Sequence, residues 1–68
     1  MAMSNKTSKM LRGAVRGSFT PGAVVRGYNL SGDSPEYRNN VLRYWKSKGW
    51  IRLNGEFYVL TKRGYNAA

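Results

Sequence analysis

Apolar residues near the start of the chain recur at the spacing of one helical face. Between residues 6 and 16 these positions are Met10, Leu11, Ala14 and Val15. Gly17 follows them as a stop signal, because glycine readily adopts the left-handed conformation that ends many helices. The pattern predicts a first helix over residues 6–16, preceded by a flexible tail of residues 1–5.

The stretch FTPGAVVR, residues 19–26, carries the signals of a second, shorter helix. Thr20 is a favourable N-cap, and Pro21 is a favourable first helical residue. With that cap, Phe19 and Val24 occupy the two positions of a hydrophobic staple. We expect this helix to end near residue 26, and the segment NLSGDS after it to form a loop.

The strongest helical pattern is DSPEYRNNVLRYWKSKG, residues 33–49. Either Asp33 or Ser34 can cap its start, and Gly49 is the stop signal. The apolar residues that share one face are Val41, Leu42 and Trp45. We therefore predict a helix over residues 35–48 that turns this apolar face towards the core.

A β-hairpin is predicted directly after this helix, in WIRLNGEFYV. Asn54-Gly55 between two apolar runs is a strong hairpin signal, because a type I′ turn needs positive φ at both central residues. This turn pairs Leu53 with Glu56 and Ile51 with Tyr58. Neither face of the hairpin is purely polar, so its base should touch the body while its tip stands free.

Composition narrows the function classes. Twelve lysines and arginines stand against three acidic residues, a formal net charge of +9 that favours a polyanionic partner. The chain has no cysteine and no histidine, which removes disulfides, the usual zinc ligands and the commonest catalytic bases and nucleophiles. Neither enzyme activity nor a metal or cofactor is expected. No apolar run has the length of a membrane span or a secretory signal, so a cytoplasmic protein is expected.

Three motifs in this order resemble the winged helix-turn-helix family. They are FTPGAVV at the second helix, YWKSKGWI where the third helix meets the hairpin, and YVLTKRG where the hairpin ends. The resemblance implies an α+β fold, with three helices followed by a two-stranded β-hairpin wing, over residues 6–65. Residues 66–68 are then a C-terminal tail. Small bacterial or phage regulators of this family bind DNA.

The same resemblance places the third helix in the major groove of double-stranded DNA. Its outward positions supply the residues expected to read bases, Glu36, Asn39, Asn40 and Arg43, since asparagine pairs with adenine and arginine with guanine in a bidentate way. The residues expected to contact phosphate are Thr20, Lys46, Ser47, Arg52, Lys62 and Arg63. Thr20 enters this set because the free amides of a helix N-terminus bind anions.

Three functions remain open on the sequence. The first is a DNA-binding regulator or a phage-type architectural factor. The second is a binder of DNA or RNA that tolerates any sequence. The third is a protein-interaction module, for example a phage-type inhibitor of an acidic protein. No further apolar stripe follows the hairpin, so we expect a monomer in solution.

Overall fold

The computed structural model describes residues 2–26 and 34–68. Within these ranges the chain forms three helices and a three-stranded antiparallel sheet with the strand order β1-β3-β2. The elements are α1 (Asn5–Ala14), β1 (Val24–Val25), α2 (Pro35–Ser47), β2 (Ile51–Asn54), β3 (Phe57–Leu60) and α3 (Lys62–Ala67). The α+β class predicted from the sequence is confirmed.

Helix α1 confirms the first predicted helix. It begins at Asn5, one residue before the predicted start, and ends at Ala14, two residues before the predicted end. Ser4 caps it, and its side chain accepts a hydrogen bond from the Thr7 amide at 3.2 Å. Leu11 and Ala14 are fully buried, as expected from their position on the apolar face. The helix ends at Ala14 because Val15 is extended and forms a β-bridge with Val25.

The prediction of a second helix, capped by Thr20 and ending near residue 26, is wrong. A turn occupies residues 21 and 22, with Gly22 at φ +91°, and strand β1 follows it. Gly22 donates a hydrogen bond to the Leu60 carbonyl, and the Leu60 amide donates to the Ala23 carbonyl, both at 2.8 Å. These long-range bonds to β3 compete with a helix that contains glycine and two β-branched valines, all weak helix formers.

Because this helix is absent, the two predictions about its N-terminus are also wrong. Thr20 does not cap a helix, and Phe19 does not form a staple with Val24. The Phe19 ring instead stacks on Tyr65, with ring centroids 5.8 Å apart. The loop predicted after this segment lies mostly in residues 27–33, outside the described residues.

Helix α2 has the predicted position and the predicted inner face. Ser34 caps it by accepting a hydrogen bond from the Tyr37 amide at 3.1 Å, while Asp33, the alternative cap, lies outside the described residues. Trp45 is 1% exposed and Leu42 is 8% exposed. The remaining apolar residue, Val41, is half-buried against the same core. The predicted apolar face therefore anchors α2 to the body.

The hairpin is present, but its register differs from the predicted one by two residues. Ile51 pairs with Leu60, and Asn54 pairs with Phe57. The turn lies at residues 55 and 56, where Gly55 has φ +66° and Glu56 has no positive φ. That pattern fits a type II′ turn rather than the predicted type I′. The shift extends the pairing so that two residues of the core, Ile51 and Leu60, lie opposite each other.

The two-residue shift leaves the predicted faces of the hairpin unchanged, because side chains alternate with a period of two. Ile51, Leu53 and Tyr58 still share one face, as the sequence predicted. The hairpin is also part of a larger sheet, because β1 pairs with β3 and places Val25 opposite Tyr58. The tip is exposed, as predicted.

Helix α3 was not predicted, and it follows the hairpin rather than preceding it. Thr61 caps the helix by accepting a hydrogen bond from the Gly64 amide at 3.0 Å, and its hydroxyl donates to the Gly49 carbonyl at 2.6 Å. Ala67 is buried, and its carbonyl accepts a hydrogen bond from the Met3 amide. Residues 66 and 67 thus belong to a packed helix rather than to a tail.

Candidate nucleic-acid interface

The outer face of α2 consists of the polar residues opposite Leu42 and Trp45. All of its members are exposed, and they are Glu36, Asn39, Asn40, Arg43 and Ser47. Because the inner face is buried, the backbone of α2 holds this outer face in one orientation. The geometry predicted for the base-reading residues is therefore present, while their role in reading bases stays a prediction.

The phosphate candidates on α2 differ in what they can donate. Lys46 is exposed at the edge of the outer face, and its ammonium group has three donor hydrogens. The Ser47 hydroxyl already donates to the Tyr44 carbonyl at 2.6 Å. A hydroxyl has a single hydrogen, so Ser47 can donate to a phosphate only by giving up this bond.

The hairpin tip carries a mixture of cationic, acidic and apolar side chains. Arg52 and Glu56 are exposed, and so are Leu53 at 51% and Phe57 at 48%. The Arg26 guanidinium carbon lies 5.4 Å from the centroid of the Phe57 ring. The exposed Arg52 is available to a polyanion, and Leu53 and the part of Phe57 that Arg26 leaves uncovered are available to another surface.

Thr20 is exposed beside the turn at residues 21 and 22. The sequence assigned it to phosphate binding because a helix was expected to begin there. Since that helix is replaced by a turn and a strand, the row of free helix amides on which the assignment rested is missing. The Thr20 side chain still offers its hydroxyl as a donor.

Lys62 and Arg63 lie in the first turn of α3, not on a strand of the hairpin. The Arg63 guanidinium packs against Gly49, with Nη1 3.1 Å from the position that a Cβ atom there would occupy. Helix α3 therefore brings these two cations to the C-terminal end of α2, where Lys48 is also exposed.

These three cations share a groove of about 890 Å³ between the start of α1, the end of α2 and helix α3. We call it the basic groove, and the lining residues that matter most are Thr7, Tyr44, Lys48, Trp50, Lys62 and Arg63. No acidic residue from the described part of the chain lines it. The sequence reasoning missed Tyr44 and Lys48 as site residues, because their place in this groove depends on α3. Thr61 was the available signal, since threonine is a favourable N-cap.

Comparison with family models, with curated proteins and with solved structures gives no match. Among residues 2–26 and 34–68, no helix is long and apolar enough to span a membrane. The same residues contain no cluster of acidic side chains suited to a metal ion.

Proposed function

We propose that this chain is a double-stranded DNA-binding protein, either a small transcriptional regulator or a phage-type architectural factor. In this proposal the fold works as a winged helix: α2 enters the major groove, and the β2–β3 hairpin acts as the wing. The observation that carries the proposal is the outer face of α2, where Asn39, Asn40 and Arg43 are exposed together on a helix anchored by Trp45.

The side chains of this face suit the edges of bases. An asparagine amide both donates and accepts, which matches N6 and N7 of adenine, while arginine donates twice to O6 and N7 of guanine. Glu36 can accept a hydrogen bond from N4 of cytosine. Asparagine also lowers helix propensity, so two in succession within α2 have a cost that simple solubility does not explain.

The surroundings of the outer face suit the DNA backbone. Lys46 at one edge of α2 and Arg52 on the hairpin are both exposed and cationic. The chain as a whole carries nine net positive charges. Glu56 at the hairpin turn is repelled by the negative charge of DNA, so we expect the tip to stay outside the minor groove while Arg52 contacts a phosphate.

Binding to duplex DNA should depend strongly on salt. If about six phosphates are neutralised, the logarithm of the association constant should fall with the logarithm of salt concentration with a slope near −5. A titration of labelled duplex by fluorescence anisotropy at several salt concentrations measures this slope. A flat response would rule out duplex DNA as the natural ligand.

Arg43→Ala and Lys46→Ala should separate base reading from general attraction. Arg43→Ala should weaken the preferred duplex by about 1–3 kcal/mol and relax selectivity at one base pair. Lys46→Ala should weaken a preferred and a scrambled duplex equally and lower the salt slope by about one. Both residues are exposed on the same helix and each variant loses one charge, so the two variants are matched.

Equal losses for Arg43→Ala on the two duplexes would contradict base reading. The outer face would then be a charged patch of a binder that tolerates any DNA or RNA sequence. The preferred duplex is obtained beforehand by selection from a random pool, and both titrations are made at the same ionic strength.

A protein partner is the second candidate function, and the hairpin tip is the observation that favours it. Leu53 and Phe57 remain half-exposed on opposite faces of the tip. Aromatic residues and arginine are enriched in protein–protein interfaces, and Phe57 and Arg52 are both exposed at this hairpin. If neither Arg43→Ala nor Lys46→Ala changes binding to any duplex, this second candidate replaces the first.

A further inference from the structure

We propose that the basic groove binds a single nucleic-acid strand, with a base stacked on Tyr44 and phosphates held by Lys48, Lys62 and Arg63. This site lies beside the outer face of α2 and has a different ligand from the duplex of the proposed function. Its evidence comes from three features of the groove: its charge, its exposed aromatic ring and its size.

The positive charge of the groove favours the binding of an anion. Lys48 comes from the end of α2, while Lys62 and Arg63 come from the first turn of α3, so two helices direct three positive charges at one concavity. The C-terminal end of a helix carries only about half a negative charge. That partial charge offsets at most about half of one of the three positive charges, so most of the groove's positive charge is unbalanced. A concave surface of one sign concentrates counter-ions.

The aromatic ring at the rim distinguishes a nucleic-acid strand from other anions. Tyr44 is 51% exposed, although Trp50 meets its ring edge to face at 5.9 Å and the Lys48 ammonium lies 5.5 Å from its centroid. Trp50 is itself buried and forms the floor beneath this contact. An acidic peptide has no need of such a ring, whereas single strands bind by stacking bases on aromatic side chains along a cationic groove.

The size of the groove favours one strand over a duplex. Its volume is about 890 Å³, and it lies open on the surface of a domain whose longest extent is 28 Å. A B-form duplex is wider than its own major groove, which is about 12 Å across, so the duplex as a whole cannot enter a concavity of this size. A single strand can place a few nucleotides there, and the Thr7 hydroxyl at its edge supplies a neutral hydrogen-bonding group.

The test uses the full chain and a labelled oligothymidylate of about eight nucleotides, a length within the range of known single-strand sites. Tyr44→Ala should weaken its binding about 5- to 150-fold, while Tyr44→Phe, which keeps the ring, should restore it. Tyr65→Ala is the aromatic control, because Tyr65 is also exposed but does not line the groove. Lys48→Ala with Lys62→Ala should lower the single-strand salt slope by about 1.4.

Lys6→Ala with Lys9→Ala is the charge control, since both lysines are exposed on α1 and neither lines the groove. If a control variant weakened oligothymidylate binding as much as the groove variants do, the binding would be general electrostatic attraction and the proposal would be overturned. Displacement of the oligonucleotide by polyglutamate at equal charge concentration would overturn it as well. Circular dichroism of each variant verifies that the chain remains folded.

The result of the groove test can be distinguished from the result of the duplex test for the proposed function. Arg43→Ala should leave oligothymidylate binding unchanged, because Arg43 lies outside the groove. Duplex binding without any oligothymidylate binding would overturn the groove proposal alone. Oligothymidylate binding that needs Tyr44, in a protein that does not bind duplex, would support the groove and overturn the duplex proposal.

Discussion

Replacing Trp45 with alanine should unfold the protein or leave it only marginally stable. Trp45 is 1% exposed and is among the largest fully buried side chains of the described residues. Emptying an aromatic core site costs about 3–5 kcal/mol. A domain of this size is stabilised by about 3–10 kcal/mol in total, so the loss is comparable with the whole free energy of unfolding. Urea denaturation followed by far-UV circular dichroism measures the change.

Tyr37→Ala is the matched control, because it removes another aromatic ring from α2. Tyr37 is 44% exposed, and the Ser34 cap uses its backbone amide rather than its ring. The expected change is within about 0.5 kcal/mol, as for ordinary surface substitutions. An unchanged unfolding midpoint for Trp45→Ala would mean that α2 turns a different face inward, and the outer face would have to be reassigned with it.

Gly64→Ala should also be strongly destabilising, even though alanine is the better helix former. A Cβ atom at this position would clash with the Trp50 carbonyl oxygen and approach Leu60 Cδ1 to 3.0 Å. The Trp50 carbonyl cannot move away easily, because it accepts a hydrogen bond from the Thr61 amide at 3.0 Å. Overpacking of this kind costs about 1–3 kcal/mol or more, which exceeds the gain of about 1 kcal/mol in helix propensity.

Gly13→Ala is the matched control for this prediction. Gly13 lies in α1, and no other group lies within 4 Å of the position that its Cβ would take. The same substitution should therefore stabilise the protein by about 0.5–1 kcal/mol through helix propensity and reduced freedom of the unfolded chain. Thermal melts show whether each substitution raises or lowers the melting temperature. A higher melting temperature for Gly64→Ala would contradict the close packing of α3 on Trp50.

The close contact of Gly64 with Trp50 also determines the shape of the basic groove. Gly64 lets α3 approach the end of α2, and this approach places Lys62 and Arg63 beside Lys48 and Tyr44. Displacing α3 should therefore weaken oligothymidylate binding in whatever fraction of Gly64→Ala remains folded. Gly13→Ala, which lies away from the groove, should leave that binding unchanged.

The sequence by itself determined the features that depend on neighbouring residues. Helices α1 and α2 follow from their apolar periodicity, and the ends of α2 follow from the serine that caps it and from the glycine after its last turn. The inner face of α2 follows from the spacing of Leu42 and Trp45. The hairpin follows from two apolar runs around Asn54-Gly55, and its faces survive the change of register because alternation has a period of two. The exposed positions of the candidate readers follow from the inner face.

Only the tertiary structure decided the features that depend on distant residues. The local signals at Thr20 and Pro21 favour a helix, but pairing with β3 satisfies the backbone around Val24 and Val25 in an extended form instead. The register of the hairpin is set by the burial of Ile51 opposite Leu60, which the turn residues do not encode. Helix α3 is too short to be stable alone. It forms because Thr61 and Gly64 fit against Gly49 and Trp50, and the basic groove exists because that fit brings the cations of two helices together.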